Sequence, residues 1–420
     1  MRMCLASWLL VCASLAAQRA PSPTDLAGHP FYIKKNWIVG GGGSWDYLTM
    51  DPAAGQLFIA HGPLVQVVNA ATGTLAGTIN GLREAHAIAL DSEGAFGYIT
   101  DGPAAQVRIF DRRSFQVVAS VPTGPMPRAI VFEPQTRLVF VIGAQPVSEE
   151  LVRAADGTLP RRRGNPSTIH GRAESTVTVI DSESRKQLAQ LVLSGRLGFA
   201  EADGNGRIFV AVSDNNQIVR LDAEAIGSTL RGLLDAAGAA PSKGSATESP
   251  AGAILDWTSD ARPLPPAESR PRFFTLGLGC QEPRALAVDA AHVRLFAACT
   301  NQKMIVLNAD TGEAVSSVPI GPGADAVGYD SDRGLIFSAN GGGDGSLTVI
   351  RQNVTDTYSV IQILPTRQRA RTLAINSSTG EIYLATVIYG FPLDRPPVSG
   401  IGTLKANPVD SSFQVLVVGN

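Results

Sequence analysis

Histidine and cysteine are scarce in this chain, five of one and four of the other among 420 residues. So few ligating and nucleophilic side chains exclude a cysteine-dense scaffold and leave little material for a metal cluster. Charge is sparse too: Asp, Glu, Lys and Arg make up 17% and the formal net charge is −2. That balance gives no reason to expect nucleic acid or an anionic membrane surface as the main partner. The familiar catalytic signatures are missing: there is no G-x-S-x-G elbow and no H-E-x-x-H pair. The run Gly40 to Gly43 is followed by neither a lysine nor a helix start, so it reads as a flexible crossing and not as a phosphate loop. Gly341-Gly342-Gly343-Asp344-Gly345 has too few carboxylates for a calcium loop and reads as a hairpin turn.

Hydrophobic residues reach 44%, with Gly 43 and Pro 27, a composition suited to a large core made of many short strands and tight turns. Beyond the N-terminus no segment is apolar enough to cross a membrane. At the N-terminus, Arg2 precedes an apolar run from Leu5 to Ala16, shorter than the ~20 residues of a stable span. Residues 1–17 are therefore expected to be a cleaved signal peptide, cut near Ser14-Leu15-Ala16 or Leu15-Ala16-Ala17, with an uncleaved anchor as the alternative. Val11 before Cys12 argues against a lipoprotein. Cleavage would leave Cys280 and Cys299 in an oxidising compartment, and localisation is expected to be secreted or periplasmic.

A repeat runs through the rest. An apolar strand ends in an acid, a turn follows, then a strand centred on an aromatic, then further apolar strands. The acidic or equivalent anchors are Asp51, Asp91, Glu133, Asp203, Asp289, Asp330 and Asn376, at successive spacings of 40, 42, 70, 86, 41 and 46. An aromatic stands seven residues after the anchor in six copies (Phe58, Tyr98, Phe140, Phe296, Phe337, Tyr383) and six after it in the fourth (Phe209). Period-two alternation and four strands per unit of about forty residues point to an all-β, seven-bladed β-propeller of four-stranded antiparallel blades. A sandwich would not need near-identical units. The seventh copy stops at its third strand, Phe413 to Val418, while Trp37-Ile38-Val39 stands alone before the first. That N-terminal strand is expected to complete the last blade and close the ring, removing two open edges. The expected organisation is thus a lead segment at 18–36 and the propeller at 37–420.

Segments such as Gly97-Tyr98-Ile99-Thr100-Asp101, Leu295-Phe296-Ala297-Ala298-Cys299-Thr300-Asn301 and Asn308-Ala309-Asp310-Thr311-Gly312 resemble the YVTN (YncE-like) β-propeller repeat family. The resemblance spans about residues 37–420 apart from insertions. It implies an extracytoplasmic binding or surface protein; distant propellers of this shape include lactonases and quinoprotein dehydrogenase subunits. The motifs specify the scaffold well and the function poorly.

Three places exceed the repeat length: 145–174 in blade three, which contains Arg161-Arg162-Arg163; 223–272 in blade four; and 387–410 in blade seven, which carries Tyr389 and Phe391. The first and third join second to third strands, on the face of the inter-blade crossings, and would flank the channel from nearly opposite sides. The second, with a short helix over Ala225 to Ala237 followed by an Ala/Ser/Pro-rich stretch, reads as decoration on the other face.

The residue five before each anchor opens the innermost strand. These positions, Asp46, His86, Arg128, Gly198, Arg284, Asp325 and Arg371, should form a ring at one channel mouth. Arginine forks there suit a carboxylate or phosphate, and a self-neutralising network of arginines with Asp46 and Asp325 is the competing description. His61, Asp101, Asn301 and Asn340, in the turns after second strands, should share this face. His61 and His86 lie on neighbouring blades, so a metal is a weaker possibility, whereas His170 and His292 read as surface histidines. The expected function is binding of a small anionic ligand, a peptide or a protein over the channel, by a monomer without cofactor. The alternative is a lactonase-like or other metal-dependent hydrolase on the same face. Cys280, before the first strand of blade five, and Cys299, at the end of its second, reach one face of one blade and are expected to form a disulfide.

Overall fold

The computed structural model describes residues 30–144, 174–238, 253–256, 267–353, 356–390 and 407–420. Seven sheets form the seven-bladed propeller that the repeat requires, each built on four antiparallel strands, with a fifth strand added to one of them. The inner strands are Trp45–Asp51, Ala85–Leu90, Pro127–Glu133, Leu197–Ala202, Pro283–Asp289, Ala324–Asp330 and Thr372–Asn376. All seven line a central channel. The core lies between blades: the repeat aromatics Phe58, Tyr98, Phe140, Phe209, Phe296, Phe337 and Tyr383 are all buried. Each removes a large apolar side chain from water, worth about 2–3 kcal/mol.

The recurrent acid is explained by the turn that follows it. Asp51 accepts from the Ala54 amide, Asp91 from Ala95 and Phe96, and Glu133 from Gln135 and Thr136. Asp203 accepts from Asn205 and Arg207, Asp289 from His292, Asp330 from Arg333, and Asn376 from Ser378. A tight turn leaves amides that the strand ladder cannot use, and a short acceptor side chain satisfies them. The same acids latch blade to blade. Arg112 of blade two bonds Asp51 of blade one, and Glu133 of blade three accepts from the Gly206 amide of blade four. Buried Asp289 of blade five receives Gln352 Nε2 at 2.9 Å and the Tyr329 hydroxyl at 3.1 Å from blade six, with its own His292 Nδ1 at 2.7 Å.

Blade seven is completed from the N-terminus as expected. Tyr32–Ile38 runs antiparallel to Gln414–Gly419, with Trp37 opposite Val415. The strand begins five residues before Trp37, so part of the expected lead segment belongs to the ring. Trp37 stacks on Tyr383, ring centroids 5.5 Å apart, and covers Gly73 in the Thr72-Gly73 turn of blade one. A Cβ on Gly73 would fall within 2.3 Å of that ring, and its φ of +76° suits glycine in any case. Phe31 is held by Gln362 of blade six, whose amide both accepts from its N–H and donates to its carbonyl.

The blade-four insertion departs from the expectation of mere decoration. Its helix, α1 (Ala223–Gly238), puts Ala223, Ile226 and Leu230 into the core shared with blade three. Farther on, Ala253–Asp256 pairs in parallel with the outer strand of blade three, Lys186–Ser194, making that sheet five-stranded. An outer edge with unpaired amides is a template for strand addition, and here the chain fills it itself. Residues 1–29, 145–173 and 391–406 lie outside the described residues, so the signal-peptide cleavage site, Arg161 to Arg163, His170 and Phe391 have no structural account. Tyr389–Gly390 and Asn407–Pro408 form a two-stranded ribbon at the base of the blade-seven insertion. Cys280 and Cys299 form the expected disulfide, Cα atoms 5.5 Å apart. Closing a loop of that length contributes roughly 3 kcal/mol in the chain-entropy description.

Candidate functional site at the channel mouth

The mouth ring is built by a device that the repeat register does not reveal. In blades one to six the inner strand slips register against its neighbour near its start, between Trp45 and Leu48, Ala85 and Ile88, Pro127 and Ala129, Leu197 and Ala200, Pro283 and Ala285, and Ala324 and Ala326. Asp46, His86, Arg128, Gly198, Arg284 and Asp325 each lie inside that slip. Such irregularities leave a residue outside the ladder and re-aim its side chain. Arg371 stands immediately before the seventh inner strand, Thr372–Asn376.

Most of the ring is paired internally. His86 Nδ1 lies 3.0 Å from Asp46 Oδ2, Arg371 Nε 3.3 Å from Asp325 Oδ2, and Arg284 bonds Glu282 at 3.2 Å. Burial pushes the Asp325 carboxyl above the usual carboxylate range, with Arg371 pulling the other way. Arg128 is exposed and has neither ion pair nor hydrogen bond among the described residues. Arg284 keeps 47% of its side chain exposed.

The four residues assigned to the second-strand turns are occupied by their neighbours. Asp101 is buried and accepts from the Arg83 and Glu84 amides of the crossing between blades one and two. Asn301 accepts from the Gln281 amide and donates to the Gly279 carbonyl. Asn340 bonds Ser338, Ser346 and Thr348. His61 Nδ1 meets Gln66 Oε1 at 2.7 Å, its ring lies on Phe413, and burial lowers its pKa. The two histidines thus have separate partners, and no group of three His, Cys, Asp or Glu suited to a metal occurs among the described residues. His292 is committed to Asp289 at the far face.

Below the ring lies a feature that the sequence reading missed. The rings of Tyr47 and Phe199, from blades one and four, meet edge to face with centroids 5.3 Å apart. Two blades lie between them on one side of the ring and three on the other, so the pair bridges the channel and floors the mouth. Burial raises the Tyr47 pKa far above its usual value, with Asp46 and Asp325 adding to the rise and Arg371 and Arg284 opposing it. The charges of four mouth residues, from four blades, therefore act on one hydroxyl. The signal was legible in register: the equivalent positions elsewhere are Ala87, Ala129, Ala285, Ala326 and Thr372, all small.

With that geometry in place, comparison with solved structures is decisive on one point. The likeness is one of fold. The chain superposes on "Structure of U3-55K" with a TM-score of 0.60 at 9% identity, covering 94% of this chain and 99% of that one. "Crystal structure of RRP9 WD40 repeats" gives 0.60 at 9%, covering 96% and 99%. A chain in "Crystal Structure of Mitotic Checkpoint Complex" gives 0.59 at 14%, covering 90% and 96%. The likeness shows the seven-bladed propeller fold and nothing beyond it. No family model and no curated protein matches the chain, so the YVTN resemblance rests on the repeat residues alone. No helix among the described residues is long and apolar enough to cross a membrane.

Proposed function

We propose that this chain is a secreted or periplasmic binding protein of YVTN type that holds an anionic group, on a small molecule or a peptide, over the channel mouth. The observation that carries the reading is the cup itself: an aromatic floor of Tyr47 and Phe199 under a charged ring in which Arg128 has no described partner and Arg284 is half exposed. A guanidinium fork donates two parallel hydrogen bonds to a carboxylate or phosphate, and the ring's other cations would add to the field. The disulfide and the N-terminal apolar run support the compartment.

The test is a titration of the purified chain with citrate, inorganic phosphate and an acidic tetrapeptide. One of these should bind saturably, and Arg128→Leu should weaken it about tenfold or more, the size of a lost charge-assisted bond, without lowering the melting temperature. Failure of all three probes, or equal affinity in the variant, would overturn the reading. The compartment is checked separately: mass spectrometry of exported protein should find a mature N-terminus just after Ala16 or Ala17.

A further inference from the structure

Beneath the aromatic bridge the channel opens into a cavity of about 450 Å³ whose wall is supplied by all seven inner strands. Two residues along each strand from the bridge, the blades place Thr49, Ala89, Val131, Glu201, Ala287, Gly328 and Ala374 in that wall. Six of the seven are neutral, and the hydroxyl of Thr49 is already bonded to the Ile88 carbonyl at 2.7 Å. Glu201 alone is acidic, and it has neither hydrogen bond nor ion pair among the described residues. Burial pushes its carboxyl up to about 8. The residue is half-buried, and desolvation without a partner disfavours its charged form. Alanine fills the same place in three other blades, so the fold itself does not require the acid.

We propose that this chamber is a binding site for an organic cation, a primary ammonium or a guanidinium group, paired with the Glu201 carboxylate beneath the rings of Tyr47 and Phe199. The methyl and methylene groups of the surrounding strands suit an alkyl stem, as they would the stem of a lysine or arginine side chain. The two aromatic rings can add cation–π attraction to the carboxylate's charge. At the far end of the channel the turn-capping acids outnumber their arginine partners. Six turn-capping acids surround that end; Asp51, Asp91, Asp203 and Asp330 have arginine partners in Arg112, Arg207 and Arg333. Among the described residues Glu133 has no such partner and Asp289 is paired with His292. The chemistry is common to a free amine and to a side chain presented by another protein, and the probes separate the two.

A cation paired with Glu201 favours the ionised carboxylate, so binding releases to solvent the proton that desolvation helps the carboxyl retain. Charge balances: one positive group enters and up to one proton leaves. Affinity should therefore rise as pH climbs from 6 to 8, by at most about tenfold per unit, and level off above. The experiment is calorimetric titration of the full chain with n-butylammonium, with n-butylguanidinium, and with a blocked Gly-Lys-Gly peptide, in buffers of different ionisation heat. Saturable binding with proton release near pH 7 is expected for at least one probe, weakened at least tenfold in Glu201→Gln. Binding of the peptide would identify a protein side chain as the source, and binding of the small cations alone a free amine. Glu201→Ala, which copies three other blades, serves if the glutamine variant folds poorly. Absence of saturable binding by all three probes, equal affinity in both variants, or equal binding of neutral n-butanol would overturn the proposal. It stands apart from the mouth reading: Arg128→Leu should leave butylammonium binding unchanged, and Glu201→Gln should leave citrate binding unchanged.

Discussion

Two polar rings encircle this channel, one at each end of the inner strands, and they are built on opposite principles. The far ring repeats: an acid or its amide counterpart in every blade, each accepting from the amides of its own turn. The near ring does not repeat. Its seven positions hold two aspartates, a histidine, three arginines and a glycine, and its pairings leave Arg128 free of any described partner. A residue type that recurs in every unit answers a need that every unit shares, and here that need is capping a turn. A residue type that changes from blade to blade is released from that need and can serve one site on the whole ring. Difference between equivalent positions, more than chemical character, is what singles out the mouth and Glu201 as candidate sites.

The comparison depends on a closed ring, and opening it should have the largest effect. Deleting residues 1–39 removes the Tyr32–Ile38 strand and the Trp37–Tyr383 stack. Loss of the tryptophan alone is worth about 3–5 kcal/mol, and the exposed edge invites aggregation. Circular-dichroism melts with light scattering should show a broad, much lowered transition; an unchanged melting temperature would refute closure. Next come single residues from the two rings. Asp289→Ala strands donors from Gln352, Tyr329 and His292 in a buried site and should cost about 2–4 kcal/mol in chemical denaturation. Arg128→Leu should stay within about 0.5 kcal/mol of the parent. Comparable losses in both would erase the distinction between the rings.

The smallest effects are in pH, and their signs oppose each other. Burial works against the Asp289 charge, but the bonds from Gln352, His292 and Tyr329 outweigh it and hold the carboxyl below its usual range. A depressed folded value stabilises above the unfolded value of about 3.9 and is lost as pH falls through the folded one. The stability gap between the parent and Asp289→Asn should therefore narrow below about pH 4. Glu201 runs the other way: its folded value is raised to about 8, so stability declines as pH rises from about 4.3, the unfolded value, through 8. Glu201→Gln should melt higher than the parent at pH 9 and alike at pH 4. Identical curves at both would show that Glu201 is not held in a desolvating wall.

By itself the sequence determined the number of blades, the inner-strand register, the closing strand and the disulfide pairing. Each of these follows from periodicity and from residues that meet within one repeat or at the two ends of the chain. The same register placed Asp46, His86, Arg128, Arg284, Asp325 and Arg371 on one ring, because equivalent positions in a symmetric array share a level. Tertiary structure alone decided which of their polar atoms are already bonded, since that depends on bulges and on loops outside the repeat. It brought Tyr47 and Phe199, 152 residues apart, into contact across the channel, where register shows only that they are the two large side chains at one level. It also sent Ala253–Asp256 to the edge of blade three in place of its own blade. An open edge accepts whichever strand can reach it, and reach is a property of the folded ring.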